Sequence, residues 1–220
     1  MQQHNQISAS LERNINYTAW FFIIFYAVGV AGLAWSQTFN LFTRLIPLAL
    51  MLSFTALMIF HKGFTSKQLL LFTAIFLISF AIESIGVNTA LIFGSYVYGD
   101  SLGIKLFNTP LIIGLNWLLL VYMTASVSEI LHPSSTVKTF AGAGMMLVYD
   151  LILEQVAPVL DMWYWNGGIV PIKNYLTWLL LSLVFHAAVQ KSNSVKYNRI
   201  APCILVCQVV FFIALYFILS

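Results

Sequence analysis

Residues 69–93 read LLLFTAIFLISFAIESIGVNTALIF, and Glu83 is the only ionisable side chain among them. About 20 consecutive apolar residues carry an α-helix across the ~30 Å hydrocarbon core of a bilayer, so this run is long enough to span one. Runs near 18–36, 41–60, 110–130, 138–157, 171–190 and 200–219 read the same way. Short polar breaks separate them, among them Ser36-Gln37-Thr38, His61-Lys62-Gly63, His132-Pro133-Ser134-Ser135 and Lys191-Ser192-Asn193-Ser194. Pro47, Pro110, Pro171 and Pro202 fall near helix starts, where a missing N–H is tolerated. The sequence therefore predicts an all-α polytopic membrane bundle of about seven transmembrane helices.

Composition agrees. The chain is 60% hydrophobic and 8% charged, with a mean hydropathy of +0.90, whereas soluble domains carry about 25% charged residues. There is too little charge to build a polar shell, so residues 1–220 are read as one integral membrane domain with a polar N-terminal tail over 1–17. The net charge of +3 comes from scattered single residues, without the dense Lys/Arg block that tracks phosphates, and nucleic acid is excluded as a partner. The lipid bilayer is the expected surrounding. The polar stretch reaches Tyr17 and the apolar run after it exceeds a signal-peptide core, so no cleavable leader is expected. Cys203 and Cys207 share one helix face without a CxxC spacing or a nearby His or carboxylate, and read as small packing residues.

Seven spans put the tail and every second connection on one side, with Arg13, Lys62, Lys67, Lys138, Lys191, Lys196 and Arg199; the other side has Arg44, Lys105 and Lys173. By the positive-inside rule the expectation is a multi-pass cell-membrane protein with its N-terminus in the cytoplasm. The less basic side also holds two aromatic-rich connections, 94–100 and 161–168. Taken alone these read as an interfacial aromatic belt.

An ionisable side chain at mid-bilayer costs about 2.5–3.5 kcal/mol on insertion scales, so each buried acid needs a reason. Glu83 lies in the third run, and Asp150 and Glu154, at i and i+4, share a face of the fifth. From the run boundaries, Glu83 falls ~15 Å and Asp150 ~10 Å from the non-cytoplasmic ends of their helices. Asn116 beside Trp117 comes to a similar depth, ~9 Å, and Asn174 and Trp178 enter from the sixth run. Interhelical hydrogen bonding alone would explain one such acid. Three acids without a basic residue at matching depth make that weaker, because desolvation without a cation favours the neutral carboxyl, the form a general acid needs. Glycines and other small residues near the acids, Gly86, Gly94 and Gly142, fit close helix packing or a cavity wall. His186 is solitary and reads as a hydrogen-bonded packing residue, while His4, His61 and His132 read as tail, interface and loop residues. With no His cluster, haem motif, phosphate-cradling loop or Ser-His-Asp order, neither a metal nor any other cofactor is expected.

Two separated blocks resemble a known family. Glu83-Ser-Ile-Gly86-Val-Asn88-Thr89, then Phe93-Gly94-Ser-Tyr96-Val-Tyr98, Leu102-Gly103 and Pro110, are similar to the first signature of the CruF-type carotenoid-biosynthesis family. Asp150-Leu-Ile-Leu-Glu154, Ala157, Trp163-Tyr-Trp165, Gly168, Pro171, Asn174-Tyr175 and Trp178 resemble its later signature, so the family-like core covers roughly 80–180. Gln155 and Thr177 depart from it, where the family pattern has Pro and Gly.

The resemblance implies a cofactor-independent membrane hydratase, a hydro-lyase that adds water across the terminal 1,2 double bond of an acyclic carotenoid end group. Its partners would be the acyclic carotenoid, water and other enzymes of carotenoid synthesis. The residues suit that chemistry: a protonated carboxyl starts a tertiary cation, aromatic faces stabilise it and a second carboxylate handles the water. The expected roles are Asp150 as proton donor, Glu83 as its coupled partner and Glu154 as water-handling base, with the first two interchangeable. Candidate substrate-binding residues are Asn88, Tyr96, Tyr98, Asn116, Trp117, Trp165, Asn174 and Trp178. The alternatives are an end-group cyclase, with the same protonation but no added water, and a small non-enzymatic transporter, since intramembrane acids also mark ion paths.

Overall fold

The computed structural model describes the backbone of residues 2–131 and 134–219, and side chains from Asn14 onward within those segments. The side chains of His4 and Arg13, together with His132 and Pro133, lie outside the described residues. Eight helices occur among the described residues: α1 (Gln2–Ala34), α2 (Ser36–Arg44), α3 (Ile46–Ile59), α4 (Ser66–Thr89), α5 (Ile112–Ser128), α6 (Ser135–Leu153), α7 (Ile172–Ser192) and α8 (Ala201–Leu219). Four short strands accompany them: β1 (Tyr96–Tyr98), β2 (Lys105–Leu106), β3 (Thr109–Pro110) and β4 (Trp163–Trp165).

The helices sit where hydropathy puts the apolar runs, with two differences. The second run is not one straight helix. It breaks at Leu45 into α2 and α3, which meet at a bend of 52°. Pro47 opens α3 without an N–H to continue the ladder from α2, so Arg44 ends α2 at the bend instead of lying in a connection. The fourth run shortens to the 17 residues of α5, about 25 Å at 1.5 Å per residue, which is less than the hydrocarbon thickness. Five helices are each long and apolar enough to cross a membrane, and the bent pair makes six.

α5 can be short because lipid does not surround it. It packs against α3, α4, α6, α7 and α8, and Leu118 to Ser126 are all buried. α6 lies along α7, and α1 covers α8. The outward faces stay apolar: Leu70, Leu180, Val206 and Phe217 are among the exposed side chains, a surface suited to lipid and a liability in water. These features make the chain a multi-pass helical membrane protein.

The two ends of α4 are fixed by different devices. A capping box starts it, with Thr65 Oγ1 accepting from Gln68 N at 3.2 Å and Thr65 N donating to Gln68 Oε1 at 2.8 Å. Ala90, left-handed at φ 56°, closes it by donating its N–H to Gly86 O. The chain then turns through Gly94 (φ 119°), a conformation that favours glycine, and enters β1. Strands β1 and β4, from the two aromatic connections, pair antiparallel with Tyr96 opposite Trp165 and Tyr98 opposite Trp163. Strands β2 and β3 form a separate hairpin.

Candidate functional site

The β1–β4 ribbon closes one end of the bundle, over the C-termini of α4 and α6 and the N-termini of α5 and α7. Alternation sorts its side chains. Tyr96, Tyr98, Trp163 and Trp165 are buried, while Val97 and Tyr164 between them are exposed. The buried four each donate a hydrogen bond to an acid. Tyr96 Oη and Tyr98 Oη both donate to Glu83 Oε2 at 2.7 Å. Trp163 Nε1 and Trp165 Nε1 donate to Glu154 Oε2 at 3.0 and 2.8 Å. An interfacial belt would need none of these bonds, so the aromatic connections are part of the site's roof.

From below, Trp117 Nε1 donates to Glu83 Oε1 at 2.9 Å, and the Trp117 indole stacks on Trp178 with centroids 4.1 Å apart. Gly86 makes the Glu83 side compact: a Cβ there would meet the Phe93 ring at 2.6 Å. Burial, then the nearby Glu83 charge, push the Tyr96 and Tyr98 hydroxyls above their ordinary values, so both remain protonated donors.

Asn174 joins the other two acids. Its Nδ2 donates to Asp150 Oδ2 at 3.1 Å and to Glu154 Oε1 at 3.2 Å. Asp150 is fully buried, and its Oδ1 has no hydrogen-bond partner. The donors bonded to Glu83, Asp150 and Glu154 are tyrosine, tryptophan and asparagine side chains, while Lys105 pairs with Asp100 and Lys138 with Glu129. No group of His, Cys, Asp and Glu among those residues is arranged to hold a metal ion.

Between the two carboxyl ends lies a small cavity of about 20 Å³, room for roughly one water. Glu83, Glu154, Asn116, Asn174, Tyr96, Tyr98 and the tryptophans 117, 163, 165 and 178 line it, with Phe93 and Ile113. Most residues singled out in the sequence therefore meet in one place. Two do not. Asp150 stands behind Asn174 and is not on the wall. Asn88 is exposed outside the cavity, donating to Ser84 O and Phe107 O and accepting from Asn108 Nδ2 at 2.8 Å, which anchors the β2–β3 turn. Trp163, on the wall, belongs to the later signature but is not among the binding residues expected from the sequence. Its signal was the alternation Tyr-x-Tyr and Trp-x-Trp, the period of a strand with one buried face.

The acids also lie nearer the bundle end than the run boundaries imply. α4 stops at Thr89, six residues past Glu83, or about 9 Å. α6 stops at Leu153, three past Asp150, or about 4.5 Å. The third run stays apolar through Phe93, and the fifth resumes at Val156-Ala157 after Glu154-Gln155, so hydropathy alone overextends both. Of the two departures from the family pattern, Thr177 Oγ1 donates to Ile92 O at 2.9 Å, fastening α7 to the segment before β1, and the Gln155 side-chain amide donates to Leu151 O on its own turn.

Buried polar groups occur at the opposite end as well. His186 bonds to Thr124 and to Ser182 O, and Asn198 to Leu57 O and Tyr122. These are neutral groups satisfied by one another. A Cβ at Gly142 would lie 2.1 Å from the His186 ring, so this glycine serves close packing.

No curated protein and no solved structure matches the chain. A family model described as carotenoid biosynthesis protein matches residues 46–220. The match begins where α3 begins and runs through α8, wider than the two signatures. It takes in both acid-bearing helices, the ribbon and α7, and the chain belongs to the carotenoid biosynthesis protein family.

Proposed function

We propose that the protein is a carotenoid hydratase that adds water to the terminal double bond of an acyclic end group. The observation that carries this reading is a pair of carboxyls, Glu83 and Glu154, facing one aromatic cavity with neutral donors around each. The end group enters from lipid. A proton is added to its less substituted alkene carbon, the π electrons form the new C–H bond, and the adjacent carbon becomes a tertiary cation. The tryptophan and tyrosine faces stabilise that cation, by about 2 kcal/mol or more when desolvated. Water then bonds to the cation and loses a proton, leaving a tertiary alcohol heavier by one water.

The donor role belongs to Asp150 and Glu154 acting as a unit. Asp150, with one amide donor and an unpartnered oxygen, suits the neutral acid, and Glu154 is the member that reaches the cavity. Glu83, which accepts from three donors, takes the proton from water. Proton return across the cavity to the pair leaves both sides unchanged after turnover. The Asn116 amide, on the wall, is available to orient the water.

The test is expression in a host that accumulates lycopene or another acyclic carotenoid, with pigment masses measured after growth in oxygen-18 water. The expected pigments are heavier by one labelled water per processed end. Cyclised pigment of unchanged mass would replace the hydratase reading with a cyclase. Unchanged pigments across several acyclic substrates, with the protein present in the membrane, would overturn it.

A further inference from the structure

Two paired strands of three residues are too little to hold a fixed geometry alone, yet all four inward side chains of β1 and β4 must stay in register with two carboxylates. Beyond the ladder, the backbone contributes Gly99 N to Met162 O at 2.9 Å and Asn166 N to Ser95 O at 2.9 Å. The remaining bonds converge on one residue outside the cavity, Asp161.

Asp161 precedes β4 with a left-handed backbone, φ 54°. Its Oδ2 accepts from Asp100 N at 3.0 Å, just past β1, and its Oδ1 accepts from Tyr164 Oη at 2.8 Å, on the outer face of β4. Its carbonyl accepts from Ser101 Oγ at 2.7 Å. One side chain thus grips both strands. The approach is so close that a Cβ on Gly99 would lie 2.2 Å from Asp161 O. Lys105 works on the same segment, donating to Tyr98 O at 2.9 Å and to Asp100 Oδ1 at 2.8 Å. No contact joins Asp161 to Glu83 or Glu154.

We infer that Asp161 is the positioning residue of this site: it clamps β1 to β4 so that Tyr98 and Trp163, the inward pair beside the clamp, reach Glu83 and Glu154. Its consequence for turnover rests on the hydratase reading; its consequence for the ribbon does not. Substitution by Gly suits the test, because Gly tolerates a left-handed backbone and removes both acceptors, whereas an Asn amide could still donate to the Tyr164 hydroxyl.

The experiment uses the full chain in lipid nanodiscs with ¹⁵N-labelled tryptophan, the indole signals being assigned through Trp163→Phe and Trp165→Phe. In Asp161→Gly the Trp163 indole N–H should move toward the position of an unbonded indole and exchange faster with water, while Trp20 and Trp35 stay unchanged. Tyr164→Phe, which removes one end of the clamp, should give a smaller change in the same direction and covers the case of poor folding. In the hydration assay kcat should fall about tenfold, the equivalent of one hydrogen bond, with KM unchanged. Trp163→Phe added to Asp161→Gly should cost little more than the worse single change. Unchanged Trp163 signals in both variants would overturn the inference, as would shifted signals with wild-type kcat in an active enzyme. If the wild-type chain hydrates nothing, the hydratase reading fails, while the indole signals still decide whether Asp161 sets the ribbon.

Discussion

Glu83 separates chemistry from helix glue, because its hydrogen bonds tell what each replacement leaves behind. Trp117 is a donor only and faces Oε1, whereas Tyr96 and Tyr98, which face Oε2, can turn their hydroxyls to accept. Gln at position 83 can therefore set its carbonyl against Trp117 and its amide NH₂ against the two tyrosines, keeping all three contacts. The expected loss of stability is no more than about 1.5 kcal/mol. Leu at the same position leaves three buried donors without an acceptor, at about 1–3 kcal/mol each, enough to threaten folding. Turnover should follow a different order. If Glu83 only joins helices, Glu83→Gln should work nearly as well as the native chain. If it handles the proton, hydration should fall about 10²–10⁴-fold, equivalent to about 3–5 kcal/mol in barrier and larger than the stability change. The assay is single-turnover hydration in nanodiscs beside thermal unfolding of the same samples. Turnover within about tenfold of the native rate, below the range for a lost acid or base, would refute the catalytic role. Equal destabilisation by Gln and Leu would refute the hydrogen-bond reasoning.

Asp150→Asn keeps the bond from Asn174 through its carbonyl and places NH₂ where Oδ1 now lacks a partner, so the protein should insert normally while hydration drops about 10²-fold or more. Near-native hydration would remove Asp150 from the proton-donating unit. Glu129→Gln is the control, since Glu129 pairs with Lys138 at the opposite end of the bundle; activity should be unchanged, with a stability cost near 1 kcal/mol or below. Ala90→Gly should raise the unfolding temperature, because the left-handed φ of 56° strains a side chain by about 1–2 kcal/mol and glycine offsets only part of that through unfolded-state entropy. A lowered unfolding temperature would show that the Ala90 methyl contributes more by packing than its backbone loses.

Seven apolar runs and three intramembrane acids were readable because hydropathy and charge are properties of single positions. What was not readable depends on direction or on distant partners. α5 is apolar on all sides, so its sequence has no face to reveal that protein, and not lipid, surrounds it. Asp150 and Glu154 share a helix face, but only the packing of α7 shows that Asn174 lies over the first and leaves the second on the cavity. The β1–β4 pairing joins residues 96–98 to residues 163–165, and a three-residue strand has too short a period to identify itself. Asn88 lies within a signature and is nonetheless a turn anchor, since a motif fixes positions and leaves open which way a side chain faces.

On the hydratase proposal, the depth of the site follows from the two reactants that hydration must bring together. A hydrocarbon end group is soluble only in lipid and water only outside it, so a cavity at mid-bilayer would starve for one and a cavity at the surface would flood with the other. Glu83 sits about 9 Å inside the end of α4, and the ribbon rather than lipid headgroups covers it. That cover is made from side chains with apolar rings and single N–H or O–H groups. Each ring excludes water from the space where a tertiary cation would form, and each polar atom is spent on a carboxyl instead of on solvent. A roof of aliphatic residues would keep water out but leave both acids without donors; a roof of Ser or Asn would supply donors and admit water. Tyr and Trp at alternate positions of two paired strands meet both requirements, which is why the aromatic connections are as much a part of the site as the helices that carry its acids.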